Sequence, residues 1–273
     1  MRLAERVERA ILRGDPTTLA GRARLKSAIG ARRLLVRFGD PTVRYRIGAV
    51  ELELPLSHEL PFYQHDHPSY DRQLGPIAAE LGGPVVDIGA NVGDSAAAIR
   101  AMSEVPILCV EGDPAFLMLL ERNARAIGGV EIERALVEAP ARGRVESRAG
   151  TSRVVAGDEP LVSKPLAQIL DEHPAFARPA LIKLDTDGMD VPILFASLPL
   201  LERLRPVLFF EYDPHLGADS EIFERLGGVG YATADWYENT GEHVATVELP
   251  AHLHELYVGH GGDRYADVCV RPR

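Results

Sequence analysis

The sequence predicts an α/β protein with a doubly wound, mostly parallel sheet of the Rossmann type. Short apolar runs rich in β-branched residues alternate along the chain with helical periodicities, and several runs end in an acidic residue. The first run after residue 80 passes directly into a glycine-spaced turn. Alternation of strands and helices is typical of parallel sheets, whose ligands bind beyond the carboxyl ends of the strands. The acids at those ends therefore mark a candidate site.

Length and composition favour one large domain with an appendage. The chain has 273 residues, of which 46% are hydrophobic, enough for a well-buried core. Its two cysteines, Cys109 and Cys269, lie in apolar strand-like runs, which indicates reduced core thiols. No apolar run approaches the roughly 20 residues needed to span a bilayer, and no signal-peptide pattern is present. We expect a cytoplasmic protein.

Charge is distributed unevenly. Residues 1–40 contain ten Arg or Lys against four Asp or Glu, so this segment carries +6 and the remainder −16 of a net −10. A solvated amphipathic helix that packs on its own domain explains the pattern, and a contact with nucleic acid, anionic lipid or a phosphorylated substrate is the alternative. Aromatic residues do not interleave with these arginines, so we expect no nucleic-acid partner.

The chain opens with an expected extension. Helical spacing runs from Leu3 to Ile11 and again from Leu19 to Leu35. Residues Thr42 to Leu54 alternate in polarity around Gly48-Ala49, which predicts a hairpin. We expect residues 1–68 to form a helical and hairpin extension with a lid, and residues 69–273 to form the main domain.

The segment Ser57 to Leu74 concentrates histidine and tyrosine before a helix expected to begin near Ser69. It is interpreted as a lid or substrate wall in which His58, His65 or His67 would be available as general base. The pair His65-x-His67 would also suit a metal. A polar loop with surface histidines explains the composition equally well.

Residues Val85 to Asp94, with the sequence VVDIGANVGD, combine a buried strand with a glycine turn. Asp87 lies near the carboxyl end of the strand, and Gly89 and Gly93 allow unusual dihedrals or close approach of a ligand. A helix follows from Ser95, and its unpaired N–H groups favour an acceptor-rich ligand. The spacing Gly-x-Asn-x-Gly lacks two glycines of the pyrophosphate fingerprint, which argues against NAD.

The second and third strands follow in order. Ile107 to Val110 is a strand closed by Glu111, and an acid at this place accepts from both hydroxyls of a ribose. Helix 116–126 and a third strand, Val130 to Val137, come next. The polar stretch Glu138 to Lys164 has weak periodicity and is expected to be irregular strand or loop near the site.

The fourth and fifth strands also end in acids. A short helix, 166–170, precedes the strand Leu181 to Leu184, which ends in Asp185. Asp187 and Asp190 follow, and a solvated acidic turn would account for Asp190. Asp185 is positioned to bind the amino group of a methionine moiety, to bind a divalent cation, or to orient a substrate hydroxyl. Helix 194–204 and strand 207–210 lead to Glu211, and later elements end in the strand 266–270.

Five segments together resemble the FkbM family of class I S-adenosylmethionine-dependent methyltransferases. The resemblance spans roughly Ser69 to the C-terminus, and it implies a seven-stranded sheet with five parallel strands and a late antiparallel pair. It also implies O-methylation of a hydroxyl on a small molecule, such as a natural product, sugar or glycolipid, in secondary metabolism. The segments are DIGANVGDS (87–95), VEGDP (110–114), IKLDTDGMD (182–190), FFEYDP (209–214) and GYATADWYENTG (230–241).

The resemblance also implies roles for single residues. The methionine end of S-adenosylmethionine would be held by Asp87, Gly89, Asn91, Gly93 and Ser95. The ribose would be held by Glu111, with Gly112 and Asp113 on the adenine side. Lys183 and Asp185 match the lysine and acid of the family, whereas Asp187 stands where the family most often has Glu.

Several alternatives stay open. The general base is sought among Asp185, Asp187, Glu211 and the histidines of residues 58–67. A divalent cation would find oxygen ligands in Asp185 with Glu211 or Asp213. The alternative to an enzyme is a binding protein that keeps the cofactor fold without catalysis and recruits a partner through its basic N-terminal segment. An oligomer is compatible with the sequence.

Overall fold

The computed structural model describes residues 2–148, 150–258 and 264–273. Two single turns of 3₁₀ helix lie at Pro174–Phe176 and Pro214–Leu216. The α-helices within the described ranges are α1 (Leu3–Leu12), α2 (Leu19–Arg37), α3 (Leu60–Asp66), α4 (Leu74–Leu81), α5 (Asp94–Arg100), α6 (Pro114–Ile127), α7 (Leu166–Glu172), α8 (Asp190–Ala196), α9 (Leu198–Leu204), α10 (Glu221–Gly228) and α11 (Glu255–Val258). The strands are β1 (Thr42–Ile47), β2 (Val50–Pro55), β3 (Val85–Ile88), β4 (Ile107–Val110), β5 (Val130–Glu133), β6 (Leu136–Val137), β7 (Arg142–Arg148), β8 (Thr151–Pro160), β9 (Ser163–Lys164), β10 (Leu181–Leu184), β11 (Val207–Tyr212), β12 (Tyr231–Glu238), β13 (His243–Glu248) and β14 (Ala266–Pro272).

The central sheet confirms the predicted α/β class. Over the described residues its strand order is β13-β12-β14-β11-β10-β3-β4-β5. The five strands from β11 to β5 are parallel, and β14 runs antiparallel to both β11 and β12. β13 pairs antiparallel with β12 at the edge, and it adds one strand to the seven that were expected. The chain winds outward from β3 in one direction and from β10 in the other, so the switch point lies between these two strands.

The strands around the switch point are buried on both faces. Every residue of β3, β4 and β10 is buried, which explains why their sequences are apolar without alternation. One apolar core lies on each face of the sheet, covered by helices. Both cysteines are buried free thiols, as predicted. No helix within the described ranges is long and apolar enough to cross a membrane.

The N-terminal hairpin is part of one of these cores. Leu52 and Leu54 of β2 are fully buried in the same apolar cluster as the helices beside β3. Asn123 of α6 fastens the hairpin, because its Oδ1 accepts from Glu53 N at 2.7 Å and its Nδ2 donates to Glu53 O at 3.0 Å. The same amide donates to Val92 O at 2.8 Å. The extension is therefore joined directly to the glycine turn.

The region after β2 differs from the prediction in two places. The histidine segment contains a helix, α3, with a proline in its first turn, where no N–H partner is needed. The helix expected near Ser69 begins only at Leu74. Asp71, with φ +56°, lies in the left-handed region, and a helix cannot continue through such a residue.

Two further boundaries were wrong, and a third region is now assigned. The third strand stops at Glu133, and β6 leaves the sheet to pair with β9. The stretch 138–164, expected to be irregular strand or loop, is mostly strand and forms the long hairpin β7–β8, with a register shift between Gly143 and Arg144. The single helix expected at 194–204 is two helices, α8 and α9, because Pro199 cannot donate the N–H that would continue the first.

Candidate active site

A cleft of about 260 Å³ opens at the carboxyl ends of the strands beside the switch point. This is the position that the sheet topology predicts for a ligand. The turns after β3, β4 and β10 and the end of β11 form its floor, and the N-terminal segment and the β7–β8 hairpin form its walls. The predicted site residues that line it are Gly89, Asn91, Glu111, Gly112, Lys183, Asp185, Asp187 and Glu211.

The glycine turn brings two strand ends together. Gly89 has φ +73°, and a Cβ at this position would lie 1.8 Å from the backbone oxygen of Asp185. Glycine is therefore required by the contact between the turn after β3 and the turn after β10. Asn91 also has a positive φ, +50°, and its Nδ2 donates to Gly150 O at 2.5 Å. The turn thus holds the tip of the β7–β8 hairpin.

Glu111 lies on the opposite side of the turn. Its Oε2 accepts from Asn91 N at 2.8 Å and its Oε1 accepts from Asp113 N at 2.6 Å. Burial raises the pKa of Glu111 to about 7, although these N–H groups favour the charged form. Each carboxylate oxygen keeps a free lone pair. Gly112 follows without a side chain because a Cβ would lie 2.5 Å from the Leu136 side chain.

Four predicted site residues do not line the cleft. Asp113 caps α6: its Oδ1 accepts from Ala115 N at 2.8 Å, and its Oδ2 accepts from the Ser147 hydroxyl. Gly93 is the residue before α5, and Ser95 is buried in the first turn of that helix. The fourth, Asp87, is fully buried below the cleft. Direct contact of these four with a ligand stays a prediction.

Lys183 joins the floor of the cleft to the sheet. The register of β10 and β3 places Lys183 opposite Asp87, and its Nζ lies 3.2 Å from Asp87 Oδ1 and 3.3 Å from Asp185 Oδ2. Burial opposes the charged form, but the carboxylates of Asp185, Asp87 and Asp94 outweigh it and hold the pKa of Lys183 well above its usual range. Lys183 is therefore a fixed cation and not a base.

Asp187 and Glu211, like Glu111, are carboxyls of the cleft whose pKa is raised. Burial and then the charge of Asp185 raise the pKa of Asp187 to about 6, while Ser152 N donates to its Oδ2 at 2.9 Å and opposes the shift. Burial, with repulsion from Asp185 and Asp190, raises the pKa of Glu211 well above its usual range. At neutral pH Asp187, with its pKa of about 6, is mostly ionised, whereas the surroundings of Glu211 disfavour its charged form.

Asp190 was wrongly predicted to be solvated. It is buried, and its Oδ2 accepts from Thr186 N at 3.1 Å and from the Thr186 hydroxyl at 2.6 Å. The carboxylate therefore shapes the turn that carries Asp185 and Asp187. Across the described ranges, no group of three or more His, Cys, Asp or Glu side chains is arranged to hold a metal ion.

The histidine segment contributes one imidazole to the cleft. His58 is buried, its Nδ1 accepts from Leu60 N at 3.2 Å, and its Nε2 lies 3.4 Å from Asn91 Oδ1. Burial lowers the pKa of His58, so the ring is neutral with its proton on Nε2. It orients Asn91 and has no free nitrogen to act as a base. His65 is exposed, and neither it nor His67 lines the cleft.

Three tyrosines line the cleft: Tyr63 and Tyr70, from the segment interpreted as a lid or substrate wall, and Tyr265, which sequence reasoning missed. The rings of Tyr63 and Tyr70 meet edge to face at 4.8 Å, and Asn239 Nδ2 donates to the Tyr63 hydroxyl at 3.1 Å. Gly241, two residues later, packs so closely that a Cβ would lie 2.1 Å from Ser69 O. Asn239 and Gly241 therefore hold the segment 57–74 in place. In the sequence, only the histidine and tyrosine content of this segment indicated that it lies near the site.

Among solved structures, the chain is similar to several methyltransferases at low identity. A precorrin-6y C5,15-methyltransferase from Geobacter metallireducens matches at 14% identity over 74% of this chain and 86% of that one, with a TM-score of 0.43. A TehB-like methyltransferase from Corynebacterium glutamicum matches at 10% identity over 92% and 100%, with a TM-score of 0.41. The methyltransferase FkbM from Methylobacillus flagellatus matches at 16% identity over 69% and 44%, with a TM-score of 0.41. At these values the likeness does not bear on substrate or activity.

Neither a family model nor a curated protein matches the chain.

Proposed function

We propose that this chain is an S-adenosylmethionine-dependent methyltransferase that methylates a hydroxyl of a small molecule, such as a natural product, sugar or glycolipid. The observation that carries the proposal is a single cleft with carboxylates on two sides, one at the end of β4 and two at the end of β10. Glu111 faces it from the end of β4, and Asp185 and Asp187 face it from the end of β10. The first suits a ribose, and the second suits an ammonium group and an acceptor hydroxyl.

The donor set fits S-adenosylmethionine. Glu111 is held by two backbone N–H groups and keeps lone pairs for the two ribose hydroxyls. Apolar side chains, among them Val110 and Leu136, line the same end of the cleft and suit the faces of an adenine ring. Asp94 and Asp185, which also line it, would balance the ammonium of the methionine moiety.

S-adenosylmethionine, when bound, supplies an electrophilic methyl group on a sulfonium. The chain must hold the acceptor oxygen close to that group and in line with it, which accounts for much of the acceleration in such transfers. It must also remove the proton of the hydroxyl, because an alcohol is a weak nucleophile at neutral pH.

Asp187 is our candidate for that base. Its pKa of about 6 keeps it ionised near neutral pH and more basic than an exposed carboxylate. Ser152 N fixes the carboxylate, the raised pKa of Lys183 keeps it a cation, and the raised pKa of Glu211 disfavours the charged form that a base needs. Asp187 would accept the proton of the acceptor O–H, and the bound cofactor would supply the methyl group and retain the electron pair of the broken C–S bond on its sulfur. Tyr63, Tyr70 and the β7–β8 hairpin are candidates for the wall that contacts the acceptor.

Calorimetry and mass spectrometry test this proposal. We expect S-adenosylmethionine and S-adenosylhomocysteine to bind with a Kd on the order of micromolar, and Glu111→Gln to weaken both. Incubation with hydroxylated acceptors should give products heavier by one methylene. No heat and no thermal shift with either ligand would refute cofactor binding. Bound S-adenosylmethionine that stays unreacted across alcohols, sugars and glycolipids would refute the catalytic part and leave a binding protein.

A further inference from the structure

The outer face of α2 is unusual for a helix that packs on its own domain. In its 19 residues only Ala28 is buried. Arg22, Lys26, Arg33 and Arg37 are exposed and are spaced by four, seven and four residues, so they form one stripe along the helix. Among the described residues none of the four forms an ion pair.

An apolar ridge runs beside this basic stripe. Gly30, Leu34 and Phe38 follow each other at intervals of four residues, and Phe38 is the residue that ends the helix. Leu34 is 60% exposed and Phe38 is 79% exposed, so most of the surface of these two large apolar side chains is in contact with water. Leu19 at the other end of α2 is also 79% exposed.

We infer that the outer face of α2 docks on an anionic lipid surface. Cationic side chains beside Leu and Phe form the arrangement by which a helix lies in the headgroup region, with its charges on lipid phosphates and its apolar side chains below them. A nucleic-acid backbone would use the cations but would leave Leu34 and Phe38 in water. The charge of the whole chain favours the same orientation, since residues 1–40 carry +6 and the remainder −16.

The opposite side of α2 is tied to the rim of the cleft. Arg32 Nε donates to Leu56 O at 3.0 Å, and its Nη2 donates to Ser57 O at 3.1 Å and to Glu59 Oε1 at 3.0 Å. The segment held in this way carries His58 and Glu59, which both line the cleft. Docking of α2 therefore brings the bilayer close to the mouth of the site.

Co-sedimentation of the full chain with vesicles tests the inference. We expect binding to vesicles that contain phosphatidylserine and none to pure phosphatidylcholine. The variant Arg22→Glu/Lys26→Glu/Arg33→Glu should bind at least about 100-fold more weakly, because each basic residue near such a surface contributes about 1 kcal/mol.

The control variant changes the same net charge elsewhere. Arg125, Arg178 and Arg203 are exposed residues of the main domain that make no ion pair among the described residues, and their triple replacement by Glu should leave vesicle affinity within about threefold. Equal losses in both variants, or equal binding to neutral and anionic vesicles, would overturn the inference.

Phe38→Trp distinguishes lipid from other polyanions. Trp236 is the chain's single tryptophan and is fully buried, so a new tryptophan at residue 38 reports its own surroundings. Its emission should shift to the blue with anionic vesicles. Binding to DNA that matches vesicle binding in strength and gives no blue shift would assign the face to nucleic acid. Dimerisation lost in the α2 variant, with no vesicle binding, would assign it to a second copy of the chain. Either result overturns the lipid inference.

Discussion

Replacing Asp187 with Asn is expected to stabilise the fold and to slow methyl transfer. The folded pKa of Asp187, about 6, lies above its ordinary value of 3.8, so ionisation is less favourable in the folded state than in the unfolded chain. A raised pKa gives stability that is present at low pH and is lost as the pH rises from the unfolded value through the folded one. Asparagine removes the ionisation, and its side-chain oxygen still accepts from Ser152 N.

The size of the effect follows from the pKa difference. About two pKa units correspond to roughly 3 kcal/mol, and the partial exposure of Asp187 reduces this to about 1–2 kcal/mol through solvent screening. Urea denaturation near pH 8 should show that gain in the free energy of unfolding. Near pH 4.5, only about a third of it should remain, because wild-type Asp187 is then largely protonated when folded.

Activity and a control complete the experiment. Removal of a general base lowers kcat by about 10² to 10⁴, and the wild-type rate should rise with pH through the pKa of Asp187. Asp171→Asn, at an exposed position of α7, should change neither stability nor rate. An Asp187→Asn variant that methylates at the wild-type rate would refute its role as base. A stability gain that is absent, or equal at both pH values, would refute the electrostatic reasoning.

Three further substitutions test the framework of the cleft. Glu111→Gln should raise the calorimetric Kd for S-adenosylhomocysteine at least about tenfold, since a hydrogen bond to a charged group contributes about 1.5–3 kcal/mol, and an unchanged Kd would exclude contact with the ribose. Gly89→Ala should lower the free energy of unfolding by at least about 3 kcal/mol, because the new Cβ would strain the backbone and collide with Asp185 O. As a control, Gly30→Ala in the middle of α2, where a Cβ meets no atom, should raise it by up to about 1 kcal/mol because alanine favours the helix. Lys183→Met should cost about 3–5 kcal/mol because Asp87 is left buried without its cation, and chemical denaturation should show that adding Asp87→Asn restores part of the loss.

The sequence predicted the half of the site that local rules determine. Strands β3, β4 and β10 are short apolar runs with an acid at or near the carboxyl end, and parallel strands bring such ends to one edge. Glu111 and Asp185 could be assigned to one cleft for this reason alone. Lys183 faces Asp87 because their strands are neighbours in register, which the sheet order implies.

The rest depends on contacts between distant segments. Ser147, 34 residues after Asp113 in the chain, donates to the carboxylate of Asp113, and no periodicity in the sequence signals that bond. The hairpin that carries Ser147 is mostly exposed, so it lacks the apolar pattern that identifies a strand. Tyr265 lines the cleft from the residue before β14, where nothing in the local sequence indicates a site.

These long-range contacts divide the cleft into two parts of different origin. The Glu111 side is built from consecutive strand ends, so its geometry follows from the sheet. The other side is formed where the N-terminal segment, the β7–β8 hairpin and the turn after β12 meet. His58 contacts Asn91, which in turn donates to Gly150 of the hairpin, and Asn239 after β12 donates to Tyr63. We expect substitutions there to reshape this side of the cleft while leaving the strand ends intact. Local sequence patterns describe these segments least well, and α2 holds one of them, the N-terminal segment, through Arg32.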